Sequence, residues 1–259
     1  MSRRDVVVVV PGQETTCFDG VRELTEPTAV DLDRRGRIRN LGSRAGGPDG
    51  REAVVPFSAT DVFHIDVAAA YIQSLVGGFH LRHPVAAILT PAGSHHKDER
   101  WQSVAARLRI PAVLVSRPMA AAVGLGLEVD SAGGMLVVEV SSSITIVAVV
   151  ADGTVVASVT GRGREPADVA ALIRSVLVGI DPDLEWDVRR AGVHLLGDFP
   201  GGSWVAQLGE RLDLDIHPGG GRRTLYEGAL ATMDEIYPYV VGTRRPGPQR
   251  RPGLLRMLK

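Results

Sequence analysis

The chain has 259 residues, of which 44% are hydrophobic and only 5% aromatic, so valine, leucine, isoleucine and alanine are expected to build its core. Its 29 basic and 30 acidic residues give a formal net charge of −1, which excludes a general polyanion binder and confines any basic surface to a local segment. Cys17 is the only cysteine, so an internal disulfide is excluded and a reducing compartment, by default the cytoplasm, is expected.

The amino-terminal part predicts strands and hairpins. The run Val6 to Val10 is shorter than the core of a signal peptide and no small-residue cleavage site follows it, so it predicts a buried strand. The segment TTCFDGVREL predicts a hairpin that turns at Asp19 and Gly20. Residues 31–58 mix charges with glycines and predict a small, irregular, exposed subdomain. No segment approaches the roughly 20 apolar residues of a membrane-spanning helix.

Helices and strands then alternate along the chain. Thr60 is predicted to cap a first helix, and a second helix is predicted from about Lys97 to Arg107. The segments HPVAAILT and IPAVLV, on either side of that second helix, predict buried strands. The stretch SRPMAAAVGLGL, which follows the second of these strands, predicts a third helix that begins at a proline.

The second half predicts three consecutive strands in GGMLVVEVSSSITIVAVVADGTVVASVTG, with turns at the serines and at Asp152-Gly153. A single helix from Glu165 to Leu177, a short linker and a strand in AGVHLLGD follow, and later helices are predicted over Trp204 to Leu212 and Leu225 to Glu235. The glycines at 219–221 are interpreted as a flexible connector. The alternation, with two antiparallel hairpin runs, indicates an α/β protein with mixed sheets.

The carboxy-terminal residues 242–259 differ in composition from the rest. They contain six basic residues, no acid and three prolines, and therefore predict a basic flexible tail rather than part of a packed domain. The last six residues, LLRMLK, favour a short amphipathic turn at an anionic membrane surface or against a partner protein; a solvated end is the alternative.

Several motifs, taken in order, resemble those of the bacterial actin-like MreB family, in particular its MreB-like (Mbl) branch. They are TEPTAVDLD, VVPFSATDVFHID, ILTPAG, RPMAAAVGLGL, GGMLVVEVSSSIT, VHLLGD and YEGAL. The resemblance implies an α/β, actin-like (ribonuclease H-like) two-lobed fold with mixed sheets that closes on ATP and magnesium. It also implies filaments beneath the cell membrane that guide wall synthesis.

The resemblance also predicts the domain organisation. The first actin-like lobe is expected at 1–130, with the small subdomain near 31–58 inserted in it, and the second lobe at 131–241. The second lobe is expected to be truncated, because one helix replaces a whole subdomain between the second hairpin and VHLLGD. Independent polymerisation is therefore doubtful for this chain.

The nucleotide motifs depart from the family's pattern. The resemblance places a degenerate cleft at Gly12 and Gln13 of the first hairpin, Glu139 and the serines of the second, and Gly197; the three serines are Ser141, Ser142 and Ser143. The resemblance places a magnesium-holding aspartate beside each hairpin. In the first hairpin Val10 replaces it, and valine is unable to organise a hydrated cation; in the second hairpin Glu139 stands in for it. The serines replace a glycine run through which backbone N–H groups approach phosphates. Gly12, Gly134 and Glu139 leave weak or altered nucleotide binding open.

Arg117 departs most clearly from the family. It stands where the resemblance places the glutamate that positions the attacking water, and a cation does not accept that water's proton. Asp198 and Phe199 stand where small glycines accommodate adenosine; the phenylalanine offers a ring for stacking, whereas the acid is unfavourable beside phosphates. We therefore predict no catalytic residue, no cofactor and a pseudo-ATPase, with bound ATP and magnesium as the alternative.

Other candidate chemistry is weaker. The adjacent His95 and His96, with Asp98 and Glu99, lack a completing ligand at metal-site spacing, so no metal site is predicted. Cys17 is interpreted as a buried hydrophobic residue.

The sequence thus favours a non-catalytic, cytoplasmic actin-like protein of cell shape and wall morphogenesis. It is expected to bind an MreB-type filament or wall-synthesis proteins, with peripheral membrane contact through its tail and no nucleic-acid partner. An active ATPase or small-molecule kinase of the actin, sugar kinase and chaperone superfamily is the alternative. A degenerate heat-shock chaperone is less favoured, because no peptide-binding domain follows.

Overall fold

A computed structural model describes residues 5–35, 37–46, 53–91 and 95–240, with the side chains of residues 95–98 and 234–240 left out. The predicted tail at 242–259 lies outside the described residues, as do residues 47–52 of the predicted subdomain. The contacts divide the chain into two compact units, Met1–Val115 and Ser116–Lys259. The predicted domain boundaries at residues 130 and 241 stay predictions.

The first unit is built around one mixed sheet and one small antiparallel pair. Its strands and helices are β1 (Val6–Val10), β2 (Glu14–Phe18), β3 (Glu23–Pro27), β4 (Val30–Leu32), β5 (Ile38–Leu41), α1 (Ile65–Gly77), β6 (Val85–Thr90), α2 (His95–Arg107) and β7 (Ala112–Ser116). The large sheet has the order β3-β2-β1-β6-β7; β1 and β2 are antiparallel, whereas β1 and β6 are parallel. Strands β4 and β5 form the separate pair, which lies in the predicted subdomain.

The core of the first unit contains most of the buried aromatic side chains. Phe57 contacts both Tyr71 and Trp101 edge to face, with ring centroids 5.7 Å and 5.4 Å apart. Cys17 is fully buried among these residues, and burial raises the pKa of its thiol to about 12, so the predicted hydrophobic role fits an unreactive thiol. The Tyr71 hydroxyl donates to the carbonyl oxygen of Pro27 at 2.8 Å and so joins α1 to the end of β3.

The second unit repeats this strand order. Its elements are α3 (Arg117–Gly124), β8 (Met135–Val140), β9 (Thr145–Ala151), β10 (Thr154–Gly161), α4 (Pro166–Leu177), α5 (Pro182–Ala191), β11 (Val193–Gly197), α6 (Gly202–Leu212), β12 (Ile216–Gly220) and α7 (Arg222–Val240). The sheet has the order β10-β9-β8-β11-β12, with β8 antiparallel to β9 and parallel to β11. Helices α4 and α6 cover its aliphatic face, and α3 packs against α7.

The structure corrects four sequence predictions. Thr60 does not cap α1, because that helix begins at Ile65 after His64; the Ser58 hydroxyl instead accepts the Thr60 N–H in a preceding turn. The single helix predicted between β10 and β11 is in fact two, since α5 forms in the predicted linker. Residues 219 and 220 belong to β12 rather than to a flexible connector, and α7 begins at Arg222 rather than Leu225.

Candidate functional site

Arg117 and Glu139 form a buried ion pair within the second unit. Arg117 begins α3 and Glu139 lies near the carboxyl end of β8. The arginine Nε is 2.7 Å from the glutamate Oε2, and a second guanidinium nitrogen bonds the other carboxylate oxygen. The two side chains are only 5% and 7% exposed. The guanidinium therefore binds both oxygens of the Glu139 carboxylate, in the bidentate geometry that arginine favours.

The β8–β9 turn is closed by its own first serine. The Ser141 hydroxyl donates to the carbonyl oxygen of Ile144 at 2.8 Å and accepts the Ile144 N–H at 3.2 Å. The Ser141 N–H also donates to that carbonyl, at 2.9 Å. Ser142 is exposed and Ser143 is half-buried. The Ser141 hydroxyl is therefore engaged inside the turn, because its donor and one acceptor position already have partners.

Gly197 lies directly beside the end of β8. It pairs with Val140 in the parallel register of β8 and β11, and its φ is +110°. A Cβ at this position would lie 2.0 Å from the Val140 carbonyl oxygen, so only glycine permits this approach. The structure thus brings Glu139, Ser141 and Gly197 together at the carboxyl ends of two neighbouring strands.

The segment after β11 is occupied by contacts within the second unit. Asp198 pairs with Arg222 at the start of α7, with nitrogen–oxygen distances of 3.0 Å and 2.7 Å. The Phe199 ring stacks on Trp204 at a centroid distance of 5.9 Å, and the Trp204 Nε1 donates to the Arg164 carbonyl oxygen. The ring that the sequence offers for stacking on adenine therefore already stacks on a tryptophan.

The first hairpin belongs to the first unit and is considered separately. The Thr28 hydroxyl donates to the carbonyl oxygen of Gly12 at 2.7 Å, and the Thr28 N–H donates to that of Gln13 at 2.8 Å. A Cβ on Gly12 would lie 2.7 Å from the Glu14 carbonyl oxygen, which explains the glycine without a ligand. Val10, in the place of the family's aspartate, is buried.

The sequence missed two of these partners. Arg222 binds the Asp198 carboxylate and lies 24 residues from it in the sequence. The Arg164 guanidinium donates to the Asp198 carbonyl oxygen and lies 34 residues away. No motif links either arginine to Asp198. Among the described residues no three histidine, cysteine or acidic side chains gather as a metal site, and the side chains of His95, His96 and Asp98 lie outside that description.

The repeated strand order defines an α/β protein of the actin-like, ribonuclease H-like class. No protein-family model and no curated protein matches the chain. Among solved structures, MreB5 of Spiroplasma citri bound to ADP matches with a TM-score of 0.71 at 13% identity, over 92% of this chain and 98% of that one. A non-polymerising MamK mutant bound to AMPPNP matches with a TM-score of 0.63 at 14% identity, over 89% and 98%.

A MamK double helical filament matches with a TM-score of 0.62 at 11% identity, over 90% of this chain and 99% of that one. The chain therefore has the fold of the bacterial actin-like proteins, and the predicted fold class is confirmed. The connection between β10 and β11 of the second sheet is short, since it contains only α4 and α5 in the described chain. The assignment of Gly12, Gln13, Glu139, the serines and Gly197 to a nucleotide cleft stays a prediction.

Proposed function

We propose that this protein is a non-catalytic actin-like cytoskeletal protein that acts by binding an MreB-type filament or proteins of wall synthesis. The observation that carries the proposal is the buried Arg117–Glu139 pair. A carboxylate that is already bound at both oxygens by an internal cation has no need of magnesium. The same arginine stands in the place that the family resemblance gives to the glutamate that positions water.

Arg117 and Glu139 both differ from the family's residues, and the ion pair joins these two differences in one structural feature. Either residue alone at this buried position has an unpaired charge, which is costly away from water. Together the two residues are neutral and hydrogen-bonded. Such a site is stable without a ligand, which supports a protein that keeps the fold and recognises other molecules with its surface.

Calorimetric titration with Mg-ATP, combined with a phosphate-release assay, tests the proposal. We expect no saturable binding heat at millimolar nucleotide and no phosphate release above the buffer rate. The matched variant is Arg117→Glu with Glu139→Asp, which restores the family's residue type at both positions. We expect this variant to stay inactive, because residue 10 is still a valine in place of the first aspartate. Micromolar binding with phosphate release by the wild-type chain would favour the active ATPase or kinase instead.

Partner binding is tested by sedimentation with filaments of a full-length MreB-type protein. None of the helices in the described part of the chain has both the length and the apolar character that crossing a bilayer requires. If the proposal is correct, the protein pellets with the filament and remains in the supernatant without it. A chain that stays in the supernatant in both cases would remove the filament from the proposal.

A further inference from the structure

A cleft in the first unit lies between β3, β5 and α1. Its volume is about 320 Å³, which is in the range of small ligand-binding pockets. Its apolar side is formed by Leu75, a buried residue of the core, and by Leu24 and Leu41, which are partly buried and pack against that core. The apolar surface of the cleft is therefore concave. Its shape suits a side chain that inserts into the cleft better than a flat partner surface.

The rim of the cleft is basic. Arg39 and Arg44 line it together with one acid, Glu26, and Arg39 is itself engaged in another interaction. The Glu26 carboxylate accepts the Ser43 N–H at 2.8 Å and folds over Gly42, so its charge is engaged at one end of the cleft. Arg44 has no ion-pair or hydrogen-bond partner for its side chain among the described residues. The cleft thus favours an occupant with negative charge beside an apolar side chain.

The two strands of the cleft are also edge strands. In the described residues β3 pairs with β2 alone in the large sheet, and β5 pairs with β4 alone. No further strand in the described part of the chain pairs with the outer side of either one, and at the end of β3 the Glu26 and Pro27 carbonyl oxygens already accept the Tyr71 hydroxyl. An extended peptide uses the main-chain N–H and C=O groups of an edge strand through β-strand addition, and its alternate side chains enter neighbouring pockets.

We propose that this cleft binds an extended acidic segment of a partner protein in which leucine-like residues alternate with glutamate or aspartate. The leucine-like side chain contacts Leu24 and Leu41 above the buried Leu75, and a carboxylate contacts Arg44. This inference rests on the proposed function in one respect, that the chain works by binding proteins. A lipid surface fits less well, because the leucines lie inside a concave cleft that a bilayer does not enter.

The test is fluorescence anisotropy with a fluorescein-labelled Glu-Leu-Glu-Leu-Glu peptide and the full chain. We expect saturable binding, at least tenfold weaker binding of Lys-Leu-Lys-Leu-Lys and of Glu-Ser-Glu-Ser-Glu, and at least a tenfold loss in Arg44→Glu. The matched control is Arg35→Glu, an exposed arginine of the β4–β5 turn that does not line the cleft, which is expected to bind as the wild type does.

A second variant separates blocked binding from misfolding. Ser74→Trp places a large side chain at the exposed α1 position that lines the cleft, and it should abolish peptide binding while the thermal midpoint stays that of the wild type. Equal binding of the acidic and basic peptides, or an unchanged Arg44→Glu, would overturn the inference. Binding of phosphatidylglycerol vesicles through Arg44 without peptide binding would also overturn it and assign the cleft to a membrane. None of these results alters the nucleotide titration, so the two proposals fail separately.

Discussion

At the residue scale, Arg117 and Glu139 show how two departures from a family pattern compensate each other. Each is unfavourable alone, since a buried charge without a partner loses its hydration and gains nothing in return. Together their side chains are 5% and 7% exposed and joined by two hydrogen bonds. The sequence identified both residues as departures but gave no sign that they touch, because they are 22 positions apart on different elements.

We expect Arg117→Met to destabilise the protein by about 3–5 kcal/mol, because it leaves the Glu139 carboxylate buried and unpaired. The double variant Arg117→Met with Glu139→Leu should lose far less than the sum of the two single variants, since both charges are gone. Urea unfolding of the four proteins gives the coupling energy directly. Additive losses would show that the two side chains do not interact in solution.

At the element scale, the close approach of β11 to β8 depends on one glycine. Gly197→Ala would place a Cβ 2.0 Å from the Val140 carbonyl oxygen at a φ of +110°. Gly201 is the matched control, because its φ is +112° and no atom lies within 4 Å of its added Cβ. We expect about 1–3 kcal/mol of lost stability from Gly201→Ala, which has the backbone strain alone, and clearly more from Gly197→Ala. Equal losses in urea unfolding would show that strands β8 and β11 move apart freely.

The pairing of β11 with β12 contains a histidine pair that responds to pH. His194 stacks on His217 with ring centroids 5.2 Å apart, and burial, followed by the charge of His217, lowers the pKa of His194 below its usual 6.5. The unfolded chain therefore takes up the proton first as the pH falls. The stabilisation is complete above pH 6.5 and is lost progressively below it.

We expect the free energy of unfolding to fall between pH 7.5 and pH 5.5, and to fall less in His194→Gln, which has no titrating ring at this position. His217→Gln removes the neighbouring charge together with the stacked ring but keeps His194 itself, and it should give an intermediate slope. Urea titrations at several pH values measure these slopes. Parallel slopes in the wild type and His194→Gln would assign the pH dependence to other groups.

The elements also show where sequence reasoning fails. The valine runs of β1 and β9 predicted buried strands correctly, because a continuous β-branched run has few alternatives. Helix α5 was missed because its apolar face is small: Val188 is its buried residue, while Trp186 is 61% exposed. Strand β12 was missed because its sequence, IHPGG, has neither alternation nor β-branched character, and its pairing with β11 decides its conformation.

At the scale of the whole molecule, the order of motifs predicted the fold better than any single motif did. In both units the sheet order is the third, second and first strands of a meander followed by two later strands, the first of which is parallel to its neighbour, although no family model matches the chain. Strand order survives because it depends on burial and connection lengths, which tolerate many sequences. The candidate site was less predictable, since partners such as Arg222 and Trp204 are set by packing and not by spacing.

The basic segment 242–259 is the remaining feature of the whole chain, and its charge leads to a prediction about membrane binding. Residues 242–259 contain six basic residues and no acid, so residues 1–241 carry all 30 acidic residues and are net acidic. Near an anionic membrane each cation contributes about 1 kcal/mol. The full chain should therefore bind phosphatidylglycerol vesicles at low salt, whereas a chain that ends at residue 243 should not.

Vesicle sedimentation measures this difference. Neutral phosphatidylcholine vesicles and a tail in which all six cations are replaced by glutamine are the controls, and neither should support binding. Raising the salt to 0.5 M should release the full chain, because screening weakens attraction between exposed charges. If the charge is responsible, the glutamine variant behaves like the chain that ends at residue 243. If LLRMLK binds through its apolar face, the glutamine variant keeps its affinity for the vesicles and 0.5 M salt does not release the full chain. Equal binding by the full and shortened chains would move the membrane contact to another surface.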